Sequence, residues 1–222
     1  SFAANNPVSQ AMQGVLEVLH EHHLEKEAET LDKFYASVQM RAEGIDNAEG
    51  KQKIIVELYD KFFRNAFPKM TERLGIVYTP VEVVDFIIHS INDLLQQEFG
   101  QTLGSKGVHI IDPFTGTGTF VTRLLQSGLI RNEELPHKYK HEIHANDIVL
   151  LAYYIAAINI EAVYHSLVGG DFQPFQGICL TDTFQLYEKD DLISDLLVDN
   201  SDRRKRQKAL DIRVIMGNPP YS

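Results

Sequence analysis

The sequence predicts an α/β protein in which a doubly wound, mostly parallel sheet follows an α-helical amino-terminal subdomain. From Val108 onward, short apolar runs alternate with segments of helix length, which is the pattern of a parallel sheet covered by helices. A glycine-bearing turn, Asp112 to Phe120, joins the first of these runs to a helix. Each apolar run also ends in a polar residue, as expected where a ligand site lies along the edge of such a sheet.

Length and composition exclude several classes of protein. The 222 residues can bury one core, or one core and a smaller helical subdomain. No apolar run approaches the roughly 20 residues that span a bilayer, and no signal pattern begins the chain, so we expect a cytoplasmic protein without a membrane partner. The one cysteine, Cys179, is interpreted as a buried structural thiol, and no metal site is predicted.

The net charge of −10 argues against a protein that coats nucleic acid by bulk electrostatics, because affinity for phosphates depends on Lys and Arg. Any contact with DNA would therefore be local. One basic run, Arg203 to Lys208, is interpreted as a solvated helix face or loop, with a phosphate-binding patch as the alternative.

Residues 1–75 are predicted to form a helical scaffold or coupling region. The apolar residues from Leu24 to Val38 recur at intervals of three and four, as on one face of a helix that ends near Gly44. A second apolar face extends from Ile54 to Phe63, before Pro68 interrupts it. We expect these two helices to pack as a hairpin.

The next helix is predicted to begin with a capping box. Thr79 would be the cap, Pro80 the first helical residue, and Glu82 the acidic residue three positions after the cap. The helix carries one apolar face, from Val84 to Leu95, and is expected to end at Gly100.

Four predicted strands end in polar residues, which are Asp112, Asp147, Asp182 and Asn218. Because the carboxyl ends of parallel strands meet at one edge of a sheet, we expect these side chains to line one ligand site. A single acidic residue after a strand is common as a helix cap, but this recurrence favours a functional edge. The polar stretch from Arg131 to His141 is interpreted as an insertion before the second strand.

The last four-residue motif, Asn218 to Tyr221, suits a site for a planar amino group. The Asn218 amide oxygen and the Pro219 carbonyl, held by the rigid Pro219–Pro220 turn, can accept both hydrogens of such an amine. This favours rehybridisation of the nitrogen, whose lone pair is otherwise delocalised into its ring, and Tyr221 can stack on that ring. A proline turn with a packed tyrosine is the alternative for this motif alone.

Together, Asp112 to Phe120 and Asn218 to Tyr221 resemble the paired signature of amino-group DNA methyltransferases that use S-adenosylmethionine and act on adenine N6. The family's additional motif is similar to Tyr78 to Val84, and its place before the glycine turn resembles the gamma class. The helical leader and Tyr59 to Phe63 also resemble Type I-like, single-polypeptide restriction-modification enzymes. In those enzymes a helical coupler joins an upstream nuclease and helicase to the methyltransferase.

The resemblance implies a role for each candidate site residue. Asp147 would bind the ribose hydroxyls of the cofactor, and Asp182 would receive its adenine amino group. Asn218, Pro219, Pro220 and Tyr221 would hold the target amine. The residues implied around the methionine part of the cofactor are Thr79, Asp112, Phe114, Thr115 and Gly116. Gly116 and Gly118 lack a β-carbon, so a ligand can approach the backbone there.

The implied reaction is direct transfer of a methyl group from S-adenosylmethionine to N6 of an adenine flipped out of double-stranded DNA. The alternatives are methylation of a protein glutamine or an RNA base amine, and a non-catalytic cofactor-binding or coupler module. One departure from the nucleotide-binding pattern is the spacing between Asp112 and Asp147, 147 − 112 = 35 residues, against about 20. The role of Asp147 therefore depends on the insertion from Arg131 to His141.

Two domains are predicted, a helical coupler in residues 1–75 and the amino-terminal part of a methyltransferase domain in residues 76–222. The fold of the resembling family continues for further strands and a target-recognition domain. We therefore expect this chain to be part of a longer protein, in which nuclease and helicase domains can be fused to it, and to be inactive by itself.

Overall fold

The structure is a computed structural model that describes residues 79–183 and 200–220. The predicted helices in residues 1–75 and the aromatic ring of Tyr221 lie outside the described residues. In chain order, the elements are α1 (Val81–Phe99), β1 (His109–Asp112), α2 (Thr119–Gln126), α3 (Leu135–His137), a π-helical turn (Lys138–Glu142), β2 (Ile143–Asp147), α4 (Leu150–Val168), β3 (Ile178–Leu180), α5 (Asn200–Lys208) and β4 (Ile212–Ile215).

The four described strands form one parallel sheet in the order β3-β2-β1-β4. The chain therefore builds outward from β1 in one direction through β2 and β3, then crosses to the other side of β1 for β4. The point where the order reverses, between β1 and β4, is where ligands bind in open α/β sheets. This topology confirms the predicted α/β, doubly wound fold. The strands β1 and β2 end at Asp112 and Asp147 as predicted, whereas β3 and β4 end at Leu180 and Ile215, before the predicted polar residues Asp182 and Asn218.

Helices cover both faces of the sheet at β3. Ile178 and Leu180 belong to the main core, which includes apolar residues of α2 and α4. Cys179 alternates to the opposite face and is buried there, near the arginines of α5. Burial raises the pKa of this thiol to about 12, so Cys179 is the inert structural thiol that its apolar context predicted.

The basic helix α5 divides its charges between the core and solvent. The Arg203 guanidinium turns inward and donates a hydrogen bond of 3.0 Å to the Tyr153 hydroxyl. Lys205 and Arg206 are exposed, as the interpretation of a solvated face requires. Among the described helices, α5 included, none is long and apolar enough to cross a membrane.

The helix α1 packs as predicted but begins differently. Val84, Ile88 and Leu95 are buried on one face, and the chain leaves the helix at Gly100 in a left-handed conformation. The predicted capping box is wrong, because Pro80 is the N-cap and no side chain in the described part of the chain caps this end. The Pro80 carbonyl accepts the first helical hydrogen bonds, so Thr79 lies one residue too early to cap the helix.

The stretch interpreted as an insertion is built into the core. It forms α3 and the π-helical turn, in which Leu135, Lys138 and Tyr139 are buried. The Tyr139 ring stacks on Tyr164 of α4 at a centroid distance of 3.7 Å. These added residues account for the long spacing between Asp112 and Asp147, and the two strands still pair side by side.

Candidate functional site

The glycine turn after β1 is bonded to the end of β2. The Thr115 backbone N–H donates to the Asn146 carbonyl at 2.9 Å, and the Gly116 N–H donates to Asp147 Oδ2 at 2.8 Å. The Thr115 hydroxyl turns back to the Asp112 carbonyl at 3.0 Å. The turn is therefore held in one conformation at the carboxyl edge of the sheet.

The helix α4 packs against the same turn. Gly118 has a φ of +85°, and a β-carbon there would lie 3.3 Å from both Ala156 Cα and Ile160 Cγ1. One turn of the helix away, the buried Asn159 donates from Nδ2 to the Thr117 carbonyl at 2.9 Å. Asn159 is not among the site residues predicted from the sequence. Its signal was a lone amide within the apolar run of α4.

We expect Gly118→Ala to lower the free energy of unfolding by about 1–3 kcal/mol. An alanine disfavours the positive φ at this position, and its methyl group would crowd the α4 backbone. Gly116→Ala is the matched control, since Gly116 also has a positive φ but a β-carbon there meets nothing within 4 Å. Chemical denaturation of both variants measures the difference. Equal losses would show that contact with α4 does not constrain Gly118.

Two buried carboxyl groups stand at this edge. Asp112 is 1% exposed, and its Oδ1 accepts the Phe114 N–H at 3.1 Å. Burial, with a smaller contribution from the charge of Asp147, raises the pKa of Asp112 to about 8. Burial also raises the pKa of Asp147 to about 6, although the N–H groups of Val149 and Gly116 oppose the shift.

Asp112 Oδ2 is buried and, among the described residues, has no hydrogen-bond partner. A buried carboxylate oxygen without a donor is unfavourable, and an incoming ammonium or hydroxyl group would relieve it. The chemistry of this position therefore fits a ligand that carries a cationic donor, such as the amino-acid end of S-adenosylmethionine.

The end of β4 closes against Asp112. The Met216 N–H donates to the Ile111 carbonyl at 3.0 Å, which continues the pairing of β4 with β1. A β-carbon at Gly217 would lie 2.5 Å from Asp112 Oδ1, so only glycine allows this approach. The next residue, Asn218, donates from Nδ2 to the Thr79 hydroxyl at 3.0 Å. Pro219 and Pro220 follow and are exposed.

The end of β3 joins the same edge through two threonines. The Thr181 N–H donates to the Asp147 carbonyl at 2.9 Å. The Thr183 hydroxyl donates to the Pro113 carbonyl at 2.8 Å, although the two residues are 70 positions apart. Asp182, between these threonines, is partly exposed and therefore accessible to a ligand. Thr183 is not among the predicted site residues, because a single threonine beside a strand end carries no distinguishing local pattern.

The predicted site residues that the structure describes thus lie along one edge of the sheet, where hydrogen bonds join the glycine turn to Asp147 and Asn218 to Thr79. The two signature motifs, 218 − 112 = 106 positions apart, meet at the point where the strand order reverses. This fold and this arrangement define a domain of the S-adenosylmethionine-dependent methyltransferase type. The roles of the individual residues stay predictions.

Comparison with protein families identifies the group more narrowly. The model of the N-6 DNA methylase family matches residues 50–222, which is most of the chain, so this chain belongs to the N-6 DNA methylase family. Residues 1–50 match the coupler domain of Type ISP restriction-modification enzymes. The resemblance to the methyltransferase part of a single-polypeptide restriction-modification enzyme is thereby confirmed. A domain boundary near residue 75 stays a prediction.

Three solved structures are similar to the whole chain. The ATP-dependent Type ISP restriction-modification enzyme LlaBIII, bound to DNA, is 54% identical with a TM-score of 0.80. A nuclease-deletion mutant of the Type ISP enzyme LlaGI, in complex with a DNA substrate mimic, is 51% identical with a TM-score of 0.79. The DrdV–DNA complex is 37% identical with a TM-score of 0.81.

Each of these alignments covers 100% of the present chain, but only 15%, 18% and 22% of the LlaBIII, LlaGI and DrdV chains, respectively. The chain therefore spans less than a quarter of the length of these relatives. The comparison with curated proteins found no match.

Proposed function

We propose that this domain binds S-adenosylmethionine at the carboxyl edge of the sheet and transfers its methyl group to N6 of an adenine flipped out of double-stranded DNA. The transfer would be the modification step of a restriction-modification enzyme. The observation that carries this proposal is the close approach of Gly217 to the Asp112 carboxyl group, because it brings Asn218, the proposed acceptor of the target amine, near the proposed cofactor ligand Asp112. Membership of the N-6 DNA methylase family supports the choice of DNA.

On the cofactor side, each strand end has a distinct task. Asp112 would hold the ammonium group of the cofactor's methionine part, and Asp147 would accept from the ribose hydroxyls. Asp182 would accept from the adenine amino group. Thr79, Phe114, Thr115, Gly116 and Gly118 would surround the methionine part and the turn. When bound, the cofactor supplies an electrophilic methyl group on a sulfonium sulfur.

On the target side, the chain orients an amine. The Asn218 amide oxygen and the Pro219 carbonyl would accept the two N6 hydrogens, which localises the nitrogen lone pair for attack on the methyl carbon. The carbon–sulfur bond breaks as the carbon–nitrogen bond forms, and the displaced N6 proton leaves to solvent. Tyr221 would stack on the flipped base. The rate gain comes from positioning and from these hydrogen bonds, without a covalent intermediate.

The partners follow from the relatives. LlaBIII is an ATP-dependent restriction-modification enzyme whose structure was solved on DNA, and the LlaGI form was a nuclease-deletion mutant. We infer that a target-recognition domain and fused nuclease and helicase domains act with this domain in the intact protein. The isolated 222-residue chain is expected to bind cofactor but to turn over little.

Methyl transfer from tritium-labelled S-adenosylmethionine tests the proposal. The intact protein is offered duplex DNA, RNA and a protein extract in parallel, and labelled DNA is digested for detection of N6-methyladenine. We expect label in duplex adenine. Label only in protein or only in RNA would contradict the DNA assignment and support the corresponding alternative amine.

The raised pKa of Asp112 predicts that cofactor binding strengthens with pH. A bound ammonium group favours the ionised carboxylate, so binding releases a proton wherever Asp112 is protonated beforehand. Affinity for S-adenosylhomocysteine should rise about tenfold between pH 6 and pH 7 and level off above about pH 8. Calorimetry in buffers of different ionisation enthalpy measures both the affinity and the released protons.

Asp112→Asn is the control for this pH dependence, because the amide keeps the shape of the side chain without its titration. We expect weaker binding and a much shallower pH dependence, with the remainder due to Asp147. A pH profile identical to that of the wild-type protein would remove Asp112 from the cofactor site.

A further inference from the structure

The amide of Asn218 has a defined orientation. Its Nδ2 donates to the Thr79 hydroxyl oxygen at 3.0 Å, so Oδ1 is directed to the other side of the amide. The two residues are 139 positions apart, and Thr79 is held directly before the N-cap Pro80 of α1. Orientation matters because the two ends of an amide are chemically opposite, one a donor and the other an acceptor.

We propose that Thr79 is a positioning residue that holds Asn218 with Oδ1 toward the target amine, and that the carboxylate of bound cofactor locks this arrangement. The inference rests on the proposed function. It assigns Thr79 a task beyond contact with the cofactor, because its hydroxyl joins the cofactor site to the group that receives the target base.

A hydroxyl group has one hydrogen and can both donate and accept. When Thr79 accepts from Asn218 Nδ2, its own hydrogen is available to a second acceptor. When Thr79 instead donates to Asn218, the amide must turn over and present Nδ2 to the target amine, which places donor against donor. The second arrangement cannot hold the N6 hydrogens.

A carboxylate beside Thr79 selects between these two arrangements. It takes the hydroxyl hydrogen in a charge-assisted bond, so Thr79 can only accept from Asn218. Asp112 lies against Gly217, the residue before Asn218. It suits the ammonium group of the cofactor's methionine part, the part that also carries the carboxylate. Cofactor binding therefore shifts Asn218 toward the orientation that accepts the target, and productive base capture follows cofactor binding.

Thr79→Val and Thr79→Ser test the coupling in the intact protein, since valine keeps the shape without the hydroxyl and serine keeps the hydroxyl. At saturating cofactor, Thr79→Val should lower single-turnover methyl transfer about tenfold, which is roughly the loss of one net hydrogen bond. Thr79→Ser should stay within about twofold. Thr102→Val, which removes a hydroxyl bonded to Ser105 near the opposite end of the strands, is the control for general loss of a threonine hydroxyl.

Thr79→Val in an Asn218→Ala background separates the two possible tasks of Thr79, which are positioning Asn218 and contacting the cofactor. If Thr79 acts through Asn218, Thr79→Val adds no further loss there. An equal loss in both backgrounds would overturn the inference and leave Thr79 as a cofactor contact alone.

A binding experiment provides a readout besides turnover. The probes are S-adenosylhomocysteine and 5′-methylthioadenosine, which lacks the amino-acid part. Each is mixed with duplex DNA that contains the unmethylated target adenine, the base that the wild-type protein methylates. S-adenosylhomocysteine should strengthen DNA binding several-fold more than 5′-methylthioadenosine does, and Thr79→Val should abolish that difference. Duplex with purine, which lacks the 6-amino group, should show no difference between the probes.

The outcomes distinguish the inference from the function on which it rests. Absence of N6-methyladenine with the wild-type protein, or full activity of Asn218→Ala, would contradict the proposed function. Active wild-type protein, impaired Asn218→Ala and fully active Thr79→Val would overturn the coupling alone. Equal effects of the two probes on adenine duplex would also overturn it.

Discussion

Replacement of Asn218 by alanine should lower the rate of methyl transfer at least one hundred-fold in the intact protein. The variant loses the amide oxygen proposed to accept one N6 hydrogen, and loss of one pre-organised transition-state partner costs about 10²–10³ in rate. Single-turnover transfer from labelled cofactor to duplex DNA measures this loss. Affinity for S-adenosylhomocysteine should change only a few-fold, because the carboxylates of the cofactor side remain in place.

The control for Asn218→Ala is Asn132→Ala, which removes an exposed amide outside the candidate site. We expect its rate to match the wild-type rate. An unchanged rate in Asn218→Ala would show that the amide is not the target acceptor. A parallel loss of cofactor affinity and of rate would instead indicate that Asn218 supports the fold of the edge near Asp112.

The grouping of the strand ends could be predicted from the sequence, because each strand has a local sequence pattern and parallel strands share one direction. A short apolar run identifies each strand, and parallel strands bring their carboxyl ends to one edge whatever lies between them. Asp112, Asp147 and Asn218 therefore come together even though the segments between them have different lengths. The glycine turn could also be predicted, because a strand followed by a tight turn and a helix forms one contiguous pattern in the sequence.

The contacts that orient the site could not be predicted in the same way. Thr79, Pro80 and Glu82 match a capping box, and the local pattern gave no sign that the Thr79 hydroxyl bonds to Asn218 instead. Asn159 and Thr183 each contact the turn across more than 40 residues, at 159 − 117 = 42 and 183 − 113 = 70 positions. Such bonds depend on how helices and strands pack, which residue spacing alone does not encode.

The polar segment before β2 is the clearest case of contacts that the sequence did not predict. It contains an ion pair that is buried at the amino end of the strands. Lys138 is 1% exposed, and its Nζ donates to the carbonyls of Ser105 and Val108 at 2.7 Å and 2.8 Å. It also lies 2.8 Å from Glu142 Oε2. Burial opposes the charge of Glu142, but hydrogen bonds from Lys138 and from the Gly107 N–H hold the pKa of that carboxyl below its ordinary value.

Lys138→Met should lower the free energy of unfolding by about 3–5 kcal/mol, because it leaves the buried Glu142 carboxylate without its cation. The loss should grow as the pH rises through and beyond the ordinary pKa of a glutamate and shrink below it, because in the wild-type protein the depressed pKa of Glu142 stabilises the fold only where the carboxylate is ionised, and in the variant burial disfavours that charge. Chemical denaturation followed by circular dichroism measures both effects. Lys140→Met, two residues away and exposed, should change stability by less than about 0.5 kcal/mol.

The double variant Lys138→Met with Glu142→Gln separates charge from packing. Glutamine keeps an acceptor for the Gly107 N–H, which donates to Glu142 at 2.7 Å, but removes the unpaired charge. If the uncompensated carboxylate dominates the loss, the double variant should be more stable than Lys138→Met alone. Equal instability would assign the loss to the Ser105 and Val108 carbonyls that lose their donor. Below its melting transition, Lys138→Met should methylate DNA at the wild-type rate, because this cluster lies at the opposite end of the strands from Asp112 and Asn218.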